Sequence, residues 1–142
     1  MNYPQAQKLL ENGVDLYRRH DVDGAIEVLK QALDISPENE RVCYHLGLAY
    51  ANKGAFREAL AYYDRAVALD PRDAYARNRL GCVLASLGQA REAFECYRAA
   101  AALNPCYPWP FFNLGLLYKS RGLAAEAAAE FARFAALRRS AA

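Results

Sequence analysis

Long apolar runs are missing from this 142-residue chain. The longest, such as Leu114 to Tyr118, fall far short of the ~20 residues a membrane span requires, so no membrane insertion is expected. A surplus of one charge is missing too. Lys and Arg total 18 against 16 Asp and Glu, a net charge of +2, without the dense basic stripe of a nucleic-acid binder. No nucleic-acid partner is expected. Cysteines are few: Cys43, Cys82, Cys96 and Cys106 form no CxxC pair and have no metal-ligand spacing with either histidine. They read as reduced thiols, which points to the cytoplasm. The first eight residues, Met1 to Lys8, hold no apolar segment or small-residue cleavage site, so no secretory signal is expected.

The common catalytic motifs are also lacking. The sequence contains no GxGxxG, Walker loop, HExxH or GxSxG. Its carboxylates scatter without a convergent pair. Asp21-Val22-Asp23-Gly24 has the opening of a calcium loop, but not the further acidic ligands or the closing Glu. An N-cap and first helical turn account for it better. A non-enzyme without cofactor or metal is expected.

Alanine, by contrast, fills a fifth of the chain (29 of 142 residues), and it has the best helix propensity. A strict period is present as well. Gly13, Gly47, Gly81 and Gly115 are spaced by 34, as are Ala25, Ala59, Ala93 and Ala127, and Pro37, Pro71 and Pro105. A period of this length marks a repeat architecture.

Each period resolves into two helices. Cys43, Leu46, Gly47 and Tyr50 fall at i, i+3, i+4 and i+7, one face of a helix, and Ala59, Tyr63, Ala66 and Val67 share a face of the next. Asn52-Lys53-Gly54 separates them, with a glycine suited to a left-handed cap. Asn39 and Asp73 stand where N-caps should open first helices. A glycine inside a helix costs ~1 kcal/mol relative to Ala, so four cost about 4 kcal/mol. Close approach of a neighbouring helix justifies them. The Ala twelve residues on is expected to face each glycine, with Tyr63, Tyr97 and Phe131 filling the volume beside it. Stacked neighbours then bury one continuous core.

Leu80-Gly81, Gly88, Glu92-Ala93, Tyr97, Ala100 and Pro105 recur in an order that resembles the tetratricopeptide repeat (TPR) family, over roughly residues 6 to 139. Three features depart from it: Asn12 where Leu is usual, His20 where Gly54, Gly88 and Gly122 stand, and Phe134 in place of Ala32, Ala66 and Ala100. The resemblance implies an all-α, right-handed solenoid of four helix-turn-helix repeats, eight antiparallel helices in one domain over 1–142. The repeats fall at 6–39, 40–73, 74–107 and 108–141. It also implies a concave groove lined by the first helices, which holds a protein or peptide partner. The row before each repeat glycine, Leu10, Tyr44, Asn78 and Phe112, would lie deepest. Val14, Leu48, Cys82 and Leu116 follow one turn on. Gln7, Arg41, Tyr75 and Trp109 stand at the helix starts, and Glu11, His45, Arg79 and Asn113 form a polar row. The expected peptide site is therefore Arg41, Tyr44, His45, Leu48, Tyr75, Asn78, Arg79, Cys82, Trp109, Phe112, Asn113 and Leu116. Aromatic and Arg side chains suit hot spots. Tyr44 and Phe112 fit equally well as packing between adjacent first helices, and Cys82 fits best as a small buried hydrophobe.

The same positions exclude two specialised modes. The carboxylate clamp of TPR co-chaperones would need Lys, Asn and Arg where Leu10, Val14, His45 and Tyr75 stand, and only Arg79 matches. The amide ladder of sugar-transferase-like arrays survives only at Asn113-Leu114-Gly115. RNA-binding helical repeats of 35 residues differ in period and charge. At the end of the chain Phe131, Phe134 and Leu137 share one face of the last helix, about Ala124 to Arg138. Either Phe134 closes its own core, or the face pairs two copies. A non-catalytic protein-interaction adaptor is the principal expectation, and a self-assembling scaffold using Phe131, Phe134 and Leu137 the alternative.

Overall fold

The computed structural model describes residues 3–141. Among them are eight α-helices and no strand: α1 (Tyr3–Arg18), α2 (Val22–Ile35), α3 (Glu40–Asn52), α4 (Phe56–Leu69), α5 (Ala74–Ser86), α6 (Ala90–Leu103), α7 (Trp109–Ser120) and α8 (Ala124–Ser140). This is an all-α helical repeat fold. The helices group into two compact units, one up to Pro71 and the other from Arg72. In the first, α1 packs on α2, α2 on α3 and α3 on α4. In the second, α5 packs on α6, α6 on α7 and α7 on α8.

The expected caps form. Asn39 accepts from the Val42 N–H at 3.2 Å, and Asp73 from those of Tyr75 and Ala76 at 2.9 and 3.2 Å. Asp21 caps α2 by accepting from the Gly24 N–H at 3.0 Å, so that acidic stretch opens a helix. Within each repeat the turn is a left-handed cap. At α3–α4, Gly54 has φ +78° and the Ala55 N–H reaches back to the Tyr50 carbonyl at 2.9 Å. His20 takes the same conformation without being glycine, at φ +68°.

The helical glycines do mark close approach, but the facing group differs from the expected alanine. A Cβ on Gly47 would lie 2.5 Å from Tyr63 Cε1, and one on Gly81 2.6 Å from Tyr97 Cε1. On Gly115 it would meet Phe131 Cε1 at 2.6 Å, and on Gly13 the Leu29 side chain at 2.6 Å. The residue sixteen positions on lies flat against each glycine. Ala25, Ala59, Ala93 and Ala127 are instead buried core. Leu29, Leu46 and Tyr63 anchor the first unit, at 1% exposure or less, each contributing ~1.5–3 kcal/mol by burial. In the second, Ala76, Leu80, Val83, Tyr97 and Leu114 are buried, at 6% exposure or less.

Candidate binding cleft

The second unit presents an open cleft of ≈ 290 Å³ along α5 and α7, lined by Asn78, Arg79 and Cys82 with Tyr107, Trp109, Phe112 and Asn113. Asp73 fixes the start of α5, so Asn78 and Cys82 share a face one turn apart. Pro108 and Pro110 flank the first residue of α7, where the fixed φ of proline suits a helix start. That start carries the Trp109 ring to the cleft wall.

The floor is a hydrogen-bonded chain. Asn113 Nδ2 donates to Asn78 Oδ1 at 3.0 Å and to Cys82 Sγ at 3.5 Å, and Asn78 Nδ2 donates to Tyr107 Oη at 3.2 Å. Both Nδ2 hydrogens of Asn113 are thus committed. Its Oδ1 makes no hydrogen bond among the described residues and remains an acceptor. Asn78 is 3% exposed, so it supports the floor rather than offering a free amide; a buried amide must be paired internally. Burial pushes the Cys82 thiol above its ordinary pKa, against the opposing pull of Arg79 and of its hydrogen bonds to Tyr97 and Asn113. Cys82 is therefore a protonated, half-buried thiol at neutral pH.

The walls are aromatic. Tyr75 is 52% exposed and Trp109 43%. Tyr75 leans on Tyr107 at a centroid distance of 4.5 Å. Trp109 meets Phe112 edge-on at 5.8 Å and Phe134 at 5.2 Å, and the Arg138 guanidinium lies 5.6 Å over its ring. Leu116, one turn beyond Phe112 on α7, is exposed as well. Phe131 and Phe134 both pack tilted against Phe112, at 5.7 and 5.1 Å. The two α8 rings therefore back the cleft from behind and are half-buried, as is Leu137. Phe134 lies half-buried against Trp109 and Phe112 of the neighbouring helix.

Among the expected peptide-site residues, the structure gathers Asn78, Arg79, Cys82, Trp109, Phe112 and Asn113 at one cleft, with Tyr75 against its Tyr107 wall. Arg41, Tyr44, His45 and Leu48 lie on α3 of the first unit. There Tyr44 packs edge-on against His45 at 5.3 Å and Tyr63 at 6.1 Å, half-buried rather than open. His45 Nδ1–H donates to the Arg41 carbonyl at 2.8 Å. Burial, with Arg41 and Arg18 close by, lowers its pKa despite that bond. Leu10, expected in the groove, is 1% exposed. An aliphatic side chain with no polar end is better buried than exposed. Tyr107 was not among the expected residues, yet its ring and hydroxyl build the floor. The sequence shows only that residue 107 interrupts the N-cap row, one period after Asp73 and two after Asn39. A tyrosine in an N-cap position leaves the cap vacant, and α7 opens at Trp109 behind Pro108 instead.

Two tetratricopeptide repeat family models match the chain, over residues 16–80 and 83–122. A bovine (Bos taurus) protein, BBSome complex member BBS4, is 30% identical over 83 residues, 49% of this chain. The chain spans only 16% of that protein's length. Among solved structures, a crystal structure of MamA is 27% identical with a TM-score of 0.88, covering 95% of this chain and 79% of that one. A second MamA crystal structure is 27% identical at a TM-score of 0.85, covering 94% and 73%. The MamA 41-end chain of Desulfovibrio magneticus RS-1 shares the fold at 24% identity and a TM-score of 0.87, covering 95% and 76%.

Proposed function

Because the chain belongs to the tetratricopeptide repeat family, a family of protein–protein interaction modules, we propose that it works without catalysis by seating an extended segment of a partner protein in the α5–α7 cleft. The observation that carries this is the pairing of two exposed aromatics, Tyr75 and Trp109, with Arg79 and Asn113 around one cleft. A large apolar side chain of the segment packs on the Trp109 ring. Asn113 Oδ1 accepts a backbone N–H from the segment, and the Arg79 guanidinium donates to a carbonyl or carboxylate. Aromatic and Arg side chains give such sites most of their affinity, because they bury area at small entropic cost. Membership of BBS4 in a named complex agrees with an interaction role. Assembly through Phe131, Phe134 and Leu137 has less support, since Phe134 is occupied with Trp109 and Phe112.

Selection of peptides from a displayed random library on the full chain tests this reading. Selected peptides should lose roughly tenfold or more in affinity, about 1.4 kcal/mol, on Trp109→Ala or Tyr75→Ala. The light-scattering mass of both variants should match that of the parent. Peptides that bind the double variant as tightly as the parent would overturn it. A concentration-dependent mass that Phe134→Glu abolishes would instead favour the scaffold.

A further inference from the structure

Two periods separate residue 23 from residue 91, and residue 53 from residue 121, so the two units can be compared at one structural position. In the first unit the pair is Asp23 and Lys53, whose Oδ1 and Nζ atoms meet at 2.5 Å. In the second unit both are arginine. Arg91, in the first turn of α6, and Arg121, just beyond α7, are exposed, and neither forms an ion pair among the described residues. Between them opens a pocket of ≈ 250 Å³ whose apolar lining includes Phe94, Leu117, Tyr118 and Leu123, with no carboxylate among the lining residues. The apolar residues differ in step with the charges. Ile26, the counterpart of Phe94, is buried, whereas Phe94 is half-buried. Leu123 replaces Ala55 and is 44% exposed. A third cation, Arg98, lies 5.7 Å over the Phe94 ring.

We infer that this pocket is a second docking site, for a partner-protein segment in which a carboxylate stands beside a bulky apolar side chain. The carboxylate takes the part that Asp23 plays for Lys53 and answers the two guanidiniums that line the pocket. Guanidinium groups suit this, since they bind carboxylates in a planar, two-pronged manner. The apolar side chain enters among Phe94, Tyr118 and Leu123. Exposed ion pairs alone contribute little, so burial supplies most of the affinity and charge supplies selectivity. The site shares no residue with the α5–α7 cleft and stands or falls independently of it.

The test is a titration of the isotope-labelled full chain, followed by NMR, with three capped peptides: Ac-Glu-Leu-Glu-Leu-NH2, Ac-Gln-Leu-Gln-Leu-NH2 and Ac-Glu-Ser-Glu-Ser-NH2. Only the first should shift the amides of Phe94, Tyr118 and Leu123 in the millimolar range. Arg91→Asp supplies Arg121 with an internal partner, as in the first unit, and should weaken that peptide roughly tenfold. An acidic residue in the first turn of α6 suits the helix dipole, so the variant should fold. Arg91→Gln should give a smaller loss, and Trp109→Ala none. Absence of shifts at those residues, equal shifts from either control peptide, or unchanged affinity in both Arg91 variants overturns the inference.

Discussion

Replacing Gly47 by alanine sets two effects of opposite sign against each other. Alanine is favoured over glycine in a helix by ~1 kcal/mol. The added Cβ, however, would sit 2.5, 2.6 and 2.8 Å from Cε1, Cδ1 and Cζ of Tyr63, well inside contact distance. Tyr63 is 1% exposed, so its ring has nowhere to move, and overpacking of this kind costs about 1–3 kcal/mol. The net expectation for Gly47→Ala is a loss of up to about 2 kcal/mol. At Gly81 the opposing ring is 3% exposed and the loss should be similar. At Gly115 the opposing Phe131 is half-buried and can yield, so the two effects should nearly cancel. Urea unfolding followed by far-ultraviolet circular dichroism reads this ranking as shifts in the midpoint at constant slope. In a Tyr63→Ala background the sign at Gly47 should reverse, with alanine stabilising by ~1 kcal/mol. Stabilisation by Gly47→Ala in the parent chain, or one common effect at all three glycines, would refute the close-approach argument.

Three further outcomes are expected. Asp73→Ala removes the acceptor for two N–H groups at the start of α5 and should cost about 1 kcal/mol in urea unfolding, whereas Asp73→Asn should cost little. His20→Gly relieves a left-handed backbone at φ +68° and should raise stability by roughly 0.5–1 kcal/mol. A rise in the urea midpoint checks it. His45, whose pKa is lowered chiefly by burial, binds its proton less readily in the folded chain than in the unfolded one. Its contribution to stability is therefore present above the unfolded pKa of about 6.5 and is lost as pH falls towards the folded value. Asp64 and Glu130, raised by burial, act the other way: their contribution is present at low pH and lost as pH rises through their raised values. The readout is therefore the difference between the parent and His45→Gln, which should narrow the parent's midpoint decline between pH 7 and pH 5.

The repeat was legible because it rests on residues whose constraints are local. Gly54 must turn left-handed, Asn39 and Asp73 must cap, and Gly47 must make room, and each requirement shows in the residue type. The cleft was legible only in part. The period places Tyr75, Arg79, Trp109, Phe112 and Asn113 on first helices, and Tyr75 and Trp109 are exposed as large side chains at helix starts can be. Whether Asn78 points into solvent or inward is decided by a hydroxyl 29 residues away, on Tyr107. Neither period nor polarity encodes that distance. Phe134 is a similar case, since its role depends on the rings of Trp109 and Phe112 across the helix pair. The contrast between Asp23–Lys53 and Arg91–Arg121 lies 30 residues apart in sequence within each pair, and it became visible only once the side chains were brought together.

The chain has a single tryptophan, and Trp109 stands at the wall of the cleft with Phe112, Phe134 and the Arg138 guanidinium around it. Its emission therefore comes from one place and reports on one event. At 43% exposure the indole is still partly hydrated, so a segment laid across it would strip water from the ring, shift the emission to shorter wavelength and shield it from dissolved iodide. The unlabelled protein thus carries its own optical gauge of occupancy.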